Sequence, residues 1–306
     1  MFARGLVLTA LAVAAVAPLH AQTGEKRLKM RIAVAPMDWG GSDRIDNWMV
    51  PVQFRDAINE KLAKRLLDTG RFVVLEREAM EAIQQEKAIK EENTGTSQRG
   101  TIVPAQALVR PKMIDFTLAR RGTGAGVNIG GIGRIGGGVA EAQCGINVRI
   151  FNVDTSELIA AEEAAGKASS SSFQFSGNNR VAFADFATFE KSPLGSAVSK
   201  AIDVAVHKIV LNLDKQPWSA RVADYDEESK EITLNAGSDL GVRVGDVFEV
   251  MRVSRTIKDP ETGEILGVRT ARAGSLKVIE VEKKLAIAVV VEGEGFKPGD
   301  IVRETR

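Results

Sequence analysis

The chain has 306 residues, a formal charge of +1, 44% hydrophobic and 26% charged residues, two His and one Cys. Its length suits about two domains at roughly 150 residues each, and its composition excludes wholesale disorder. Near-neutral charge argues against a partner held by phosphate neutralisation, so no nucleic acid is expected, and one Cys excludes an intrachain disulfide framework or a Cys-rich zinc site.

Arg4 precedes an apolar run, Gly5 to Leu19, that ends at Pro18-Leu19-His20-Ala21. This pattern predicts a signal peptide over residues 1–21, and the run falls short of the ~20 residues of a membrane-spanning helix. No Cys lies near the cut, so lipidation there is not expected. Cleavage removes Arg4 and His20, which leaves 40 acidic residues matched by 40 basic ones and His207 as the one mature histidine. Any Ser–His–Asp or Cys–His mechanism would have to use His207. That residue sits in Ala197–Leu213, where Val198, Ala201, Ala205, Ile209 and Leu213 repeat at helical spacing, so it reads as flanking a helix core. No enzyme activity, catalytic residue, cofactor or metal is expected.

In chain order, Lys29–Met37 predicts a strand and Asp38–Met49 a polar loop. Pro51 opens a helix through Asp68, with Phe54, Ile58, Leu62 and Leu66 on one face and Gly70 as its stop. Phe72–Leu75 reads as a strand, Glu76–Glu91 as a second helix and Met113–Leu118 as a third strand. Gly145–Val153 alternates, and Asp154-Thr155-Ser156 turns the chain into Leu158–Ala161, giving a hairpin. Ala197–Leu213 closes the unit. This order predicts an α/β (α+β) domain over 22–217: a mixed sheet with flanking helices and two long β-hairpin insertions. Lys215-Gln216-Pro217-Trp218 breaks the pattern. Short strands follow at Ile232–Leu234, Val247–Arg252, Leu276–Val281 and Ala286–Val291, with a strong turn at Asp259-Pro260-Glu261-Thr262-Gly263. The segment Gly241–Phe248 echoes Gly295–Val302: in each, a Gly-Asp turn launches a strand. Residues 218–306 are therefore expected to form a small all-β barrel.

Nine of the 29 glycines lie between Gly122 and Gly138. Gly131, Gly133 and Gly136 match a dinucleotide fingerprint, but only about eight residues follow before the next strand, and the helix that the motif requires does not fit. Val127, Ile129, Ile132, Ile135 and Val139 are interleaved with the glycines, which a solvated linker would not carry. A second insertion, Ala164–Ser192, holds Phe173, Phe175, Phe183, Phe186 and Phe189. Within it Phe173 and Phe175, then Val181 and Phe183, alternate about a Gly177-Asn178-Asn179 turn. Each insertion could supply a pair of membrane-crossing strands of ~9–11 residues. One chain cannot close a barrel from two hairpins, but a ring of copies can. The alternative is that both hairpins pack on the domain or serve as soluble partner-binding arms.

Ile32-Ala-Val-Ala, Leu66–Arg77 (LLDTGRFVVLER), Met80 with Ile83, and Asn147–Glu157 (NVRIFNVDTSE) together resemble the curli-secretion-channel (CsgG) family over about residues 30–213. The resemblance implies an oligomeric ring in the outer membrane, each subunit giving two hairpins, at 118–142 and 161–190, to a shared barrel that exports or anchors secreted fibre and adhesin proteins. Candidate membrane-hairpin residues are then Val127, Ile129, Ile132, Ile135, Phe173, Phe175, Val181 and Phe183. The loop Trp39–Val50 would narrow the channel through Asn47, Trp48 and Met49, with Trp48 limiting its width. Unlike most of that family, the chain lacks a Cys at the mature end. Its C-terminal part resembles the C-terminal domain of the flagellar assembly protein FlgT, at Leu234–Ser238 and Val244–Phe248. The resemblance implies export to the periplasm or outer membrane of a Gram-negative bacterium, with copies of itself, secreted cargo or envelope-assembly proteins as partners. A periplasmic adaptor, FlgT-like or LpoB-like and forming no pore, is the competing expectation.

Overall fold

A computed structural model describes residues 28–45, 48–76, 104–122, 127–129, 133–135, 138–171, 183–258, 260–261 and 265–305. The expected signal peptide and the helix expected at Glu76–Glu91 lie outside these residues, Glu76 apart.

The first sheet has the order β4-β1-β5-β8-β9. β1 (Met30–Val34) lies between β4 (Phe72–Glu76) and β5 (Ala107–Gly122) and is parallel to both. Such a strand is covered on both faces, which is why MRIAV is nearly all apolar and buried. β8 (Gly138–Asn152) and β9 (Leu158–Ser170) continue the sheet as antiparallel neighbours of β5.

Helix α1 (Val52–Asp68) buries Phe54, Ile58, Leu62 and Leu66, the face its spacing predicts. Gly70, at φ +67°, takes the left-handed conformation after it. A short helix, α2 (Phe186–Glu190), starts where Asp185 accepts the Thr188 N–H at 2.7 Å. Helix α3 (Pro193–Leu213) is capped by Ser192, whose hydroxyl accepts from the Gly195 N–H at 3.2 Å and donates to the Phe189 carbonyl at 2.6 Å. The alanines at 197, 201 and 205 let α3 lie close on β8 and β9. Gly166 of β9 is where the backbones meet: a Cβ there would overlap the Ala197 carbonyl and the Ala201 amide. Lys61 ties the helices together through Glu190 at 2.7 Å and Ser199 at 2.9 Å.

Several strands run longer than the sequence suggests. β5 begins at Ala107 and passes through Pro111, which in isolation reads as a break. The register explains the tolerance. Ala35 donates to Val109 O, Asp38 donates to Pro111 O, and Met113 donates to Asp38 O. Position 111 therefore turns its backbone away from β8, and no β5–β8 ladder bond is lost.

The second unit is a closed barrel in the order β10-β11-β14-β13-β12-β15. Its strands are β10 (Ser219–Asp226), β11 (Glu231–Leu234), β12 (Val247–Lys258), β13 (Ile265–Val281), β14 (Ala286–Gly293) and β15 (Ile301–Glu304). The fold is thus a mixed α/β sheet followed by a small all-β barrel. Trp218 stacks on Phe248 in the barrel core, ring centroids 5.1 Å apart. The two echoing turns are built alike. Gly245 and Gly299 take φ +92° and +94°, and the following aspartates, Asp246 and Asp300, accept from the Arg243 and Lys297 amides at 2.8 and 3.0 Å.

β1 joins the two units. Leu28 sits in the barrel core and Lys29 N donates to Leu240 O at 2.9 Å. The Trp218 indole donates to Lys29 O at 3.1 Å, buried Arg31 donates to Asn235 O at 2.6 Å, and Gln106 donates to Ser219 O at 2.7 Å. Burial lowers the Arg31 pKa, and nearby Asp239 partly offsets it.

Candidate functional site

Between β1 and α1, the loop is pinned at both ends. Asp38 bridges to Lys112 at 3.6 Å and accepts the Gly40 N–H at 2.9 Å. Trp39 is buried edge-on against Phe116, centroids 5.6 Å apart. β2 (Arg44–Ile45) and β3 (Trp48–Met49) then pair as a short hairpin, with Val50 donating to Asp43 O at 2.7 Å.

The three residues that the resemblance assigns to a constriction have different placements. Asn47 lies outside the described residues. Trp48 is half-buried and turns inward, edge-on to Phe54 at 6.0 Å and Phe183 at 5.1 Å, and 6.4 Å from Phe189. Met49 points out and is 61% exposed. Alternation along a strand sends neighbours to opposite sides. The inward place goes to the indole because α1, α2 and the segment leading into α2 present Phe54, Phe189 and Phe183 there.

Both insertions leave the sheet at one end. The register sets Arg120, Ala140 and Ser170 side by side on β5, β8 and β9. The other end of the same strands, at Gln106 and Asp154, faces the barrel through Ser219 and Arg221. In the glycine-rich insertion, β6 (Val127–Ile129) and β7 (Gly133–Ile135) pair in antiparallel register, Val127 opposite Ile135 and Ile129 opposite Gly133. Ile132, Phe173, Phe175 and Val181 lie outside the described residues.

The second insertion requires a correction. The span 161–190 was expected to be one hairpin, but β9 ends at Ser170 and residues 186–190 are helical. Phe183, Phe186 and Phe189 form a cluster on Trp48 and Phe54, with Phe189 buried at its centre. Phe186 and Phe189 are three residues apart and share one helix face. The Asp185 cap three residues before Thr188 is the local signal that marks this helix.

His207 is exposed on α3. Cys144 is buried against the Met113 sulfur at 3.5 Å, and burial, helped by Asp115, pushes its thiol up to about 12. Asp115 accepts from the Gln143 amide. Among the described residues there is no group of three or more His, Cys, Asp or Glu able to hold a metal, and no helix is long and apolar enough to cross a membrane.

The family model described as "Curli production assembly/transport component CsgG" matches residues 19–236, and "Flagellar assembly protein T, C-terminal domain" matches residues 229–302. The two matches meet in the β10–β11 hairpin. Both families are named for assembly or transport rather than for a reaction. A curated relative, an uncharacterized protein of Aquifex aeolicus, is 34% identical over 59 residues, which cover 19% of this chain and 12% of that protein. Similar solved structures include hypothetical protein CT253 from Chlamydia trachomatis, at 13% identity and TM-score 0.35, covering 59% of this chain and 95% of that one. Another is lipoprotein GNA1162 from Neisseria meningitidis, at 11% identity and TM-score 0.28, covering 61% and 99%. At such TM-scores neither bears on how this chain works.

Proposed function

The chain belongs to the CsgG family, and from that premise we propose that it is a subunit of an outer-membrane-associated, ring-forming secretion channel that exports or anchors extracellular fibre or adhesin proteins. The observation that carries this reading is the common exit of the two insertions. They leave a three-stranded edge at the same level, at the end away from the barrel. Strands that enter lipid must have every backbone group paired, and one chain's hairpins would expose two edges. Pairing with the hairpins of neighbouring copies removes those edges. On this reading the membrane hairpins draw on residues 118–142 and on 161–182. Residues 183–190 instead brace the loop at the channel's mouth. Met49, with Asn47, narrows the lumen, and Trp48 anchors the loop that presents them. Transport needs no covalent chemistry, in keeping with families named for assembly.

Membrane fractionation and negative-stain imaging of the mature protein test the proposal. Detergent-dependent rings with an open lumen are expected, as is higher single-channel conductance in planar bilayers for Met49→Ala. A soluble monomer cut by protease between residues 122 and 138, with no conductance, refutes it. The FlgT-type match over 229–302 favours a second reading, a periplasmic assembly adaptor that forms no pore. That soluble monomer is its expected result.

A further inference from the structure

The two insertions are uneven in charge. Residues 119–140 and 164–184 together hold Arg120, Arg121, Arg134, Lys167 and Arg180, and no Asp or Glu. The chain as a whole is nearly balanced, with 41 basic and 40 acidic residues. Contact with lipid does not account for the asymmetry. On the lipid face of a membrane barrel Arg and Lys cost more than Asp and Glu, so lipid would have spared the carboxylates first.

The register divides these cations between the two faces of the sheet. Leu118, Ala142 and Ala168 form one row across β5, β8 and β9, on the face that packs against α3. The row beside it, Thr117, Gln143 and Lys167, lies on the opposite face, where Lys167 is exposed. Alternation places Arg121, opposite Val139, on that same polar face, and Arg120, opposite Ala140, on the other. In the β6–β7 hairpin, Val127, Ile129 and Ile135 share one face, and Asn128 and Arg134, opposite each other, share the second. Arg180 lies outside the described residues. Membrane barrels turn the apolar side of such strands to lipid and the polar side to the lumen. Arg121, Arg134 and Lys167 all fall on the polar side. Glu141, opposite Ala119 and Ser169, is the nearest carboxylate on that side of β8 and offsets one of them. Arg134 stands seven residues away from it along the chain.

We propose that the lumen lined by these insertions selects for anions, and that the polypeptide segments it passes carry net negative charge. Each subunit repeats the same cations around the passage, and rings of Arg or Lys make anion pores. Low-dielectric walls focus the field of such charges into the lumen, which raises the local concentration of anions and lowers that of cations. This rests on the channel reading above and adds to it the sign of the charge that passes.

Recordings of the mature chain in planar bilayers of phosphatidylcholine, under a KCl gradient, read the selectivity. Chloride should permeate about threefold or more faster than potassium. Arg134→Gln/Lys167→Gln should bring that ratio towards one, and Arg134→Glu/Lys167→Glu should invert it. Poly-L-glutamate should block the wild-type current at about tenfold lower concentration than poly-L-lysine, and the glutamate variant should reverse the order. Negative-stain images and thermal melts report separately whether each variant assembles and folds. The wild-type ratio and the order of block need no variant, so they decide the matter even where a variant fails to assemble. A conducting wild-type channel that favours potassium or neither ion, or a chloride preference that both assembled variants leave unmoved, overturns the inference and leaves the channel reading standing. Conductance that appears only with anionic lipid, with a ratio that the variants do not move, assigns the cations to lipid headgroups and overturns it too. No conductance from the wild-type chain in any of these lipids overturns both.

Discussion

Trp48 and Met49 are adjacent, yet replacing them should have separable effects. Trp48 makes three ring contacts, to Phe54, Phe183 and Phe189, and holds the β2–β3 hairpin against α1 and α2. A fully buried Trp or Phe cut to Ala costs about 3–5 kcal/mol. Because Trp48 is half-buried, about 2–3 kcal/mol is the working figure, including some lost edge-on aromatic attraction. At roughly 2–4 °C per kcal/mol for a unit of this size, Trp48→Ala should lower the melting temperature by about 5–10 °C. Met49→Ala, at an exposed position, should stay within about 0.5 kcal/mol of the parent. Circular dichroism melts of the two variants, beside planar-bilayer conductance, make the comparison. On the proposed function, Met49→Ala raises conductance without changing the melt, and Trp48→Ala lowers the melt and makes conductance noisy as the loop loosens. A Trp48→Ala melt within about 1 °C of the parent would show that the indole does not hold the loop, and the anchoring argument would fail.

Gly166→Ala sets a methyl group against the Ala197 carbonyl and Ala201 amide, both backbone atoms in the middle of α3. A cost of about 3 kcal/mol is expected in urea unfolding, and a change below about 0.5 kcal/mol would mean that α3 can lift from β9. Cys144, buried beneath the sheet with its thiol up to about 12, should not react with a thiol reagent at neutral pH until the protein unfolds. Because the folded pKa is raised, the unfolded chain loses this proton first. The contribution of Cys144 is then complete below the ordinary thiol range and is lost as pH rises from about 9 towards 12. Denaturant titrations of the parent and Cys144→Ala across that range should converge, and parallel curves would refute the assignment.

How much was legible varied with how local the determining interaction is. The inward face of α1 follows from Phe54, Ile58, Leu62 and Leu66 alone, because a four-residue spacing leaves a helix no other way to bury them. The echo of Gly245-Asp246 in Gly299-Asp300 was also legible, since each turn needs only a positive φ and a nearby amide. By contrast, the strand expected at Met113–Leu118 begins at Ala107 and includes Pro111, whose harmlessness depends on which side of β5 its backbone faces. Likewise β10 was missed. Its end, Ala223-Asp224-Tyr225-Asp226, is polar, and only pairing to β11 and β15 makes it a strand.

The sequence by itself determined β1, β4, α1 and α3 of the α/β unit and the all-β character of the C-terminal part, because periodicity and turn chemistry act over a few residues. The tertiary structure alone decided that Trp48 turns in and Met49 out, and that Phe186 and Phe189 belong to the packed domain. Each of these depends on which distant strand or helix lies alongside, and residue spacing does not encode that.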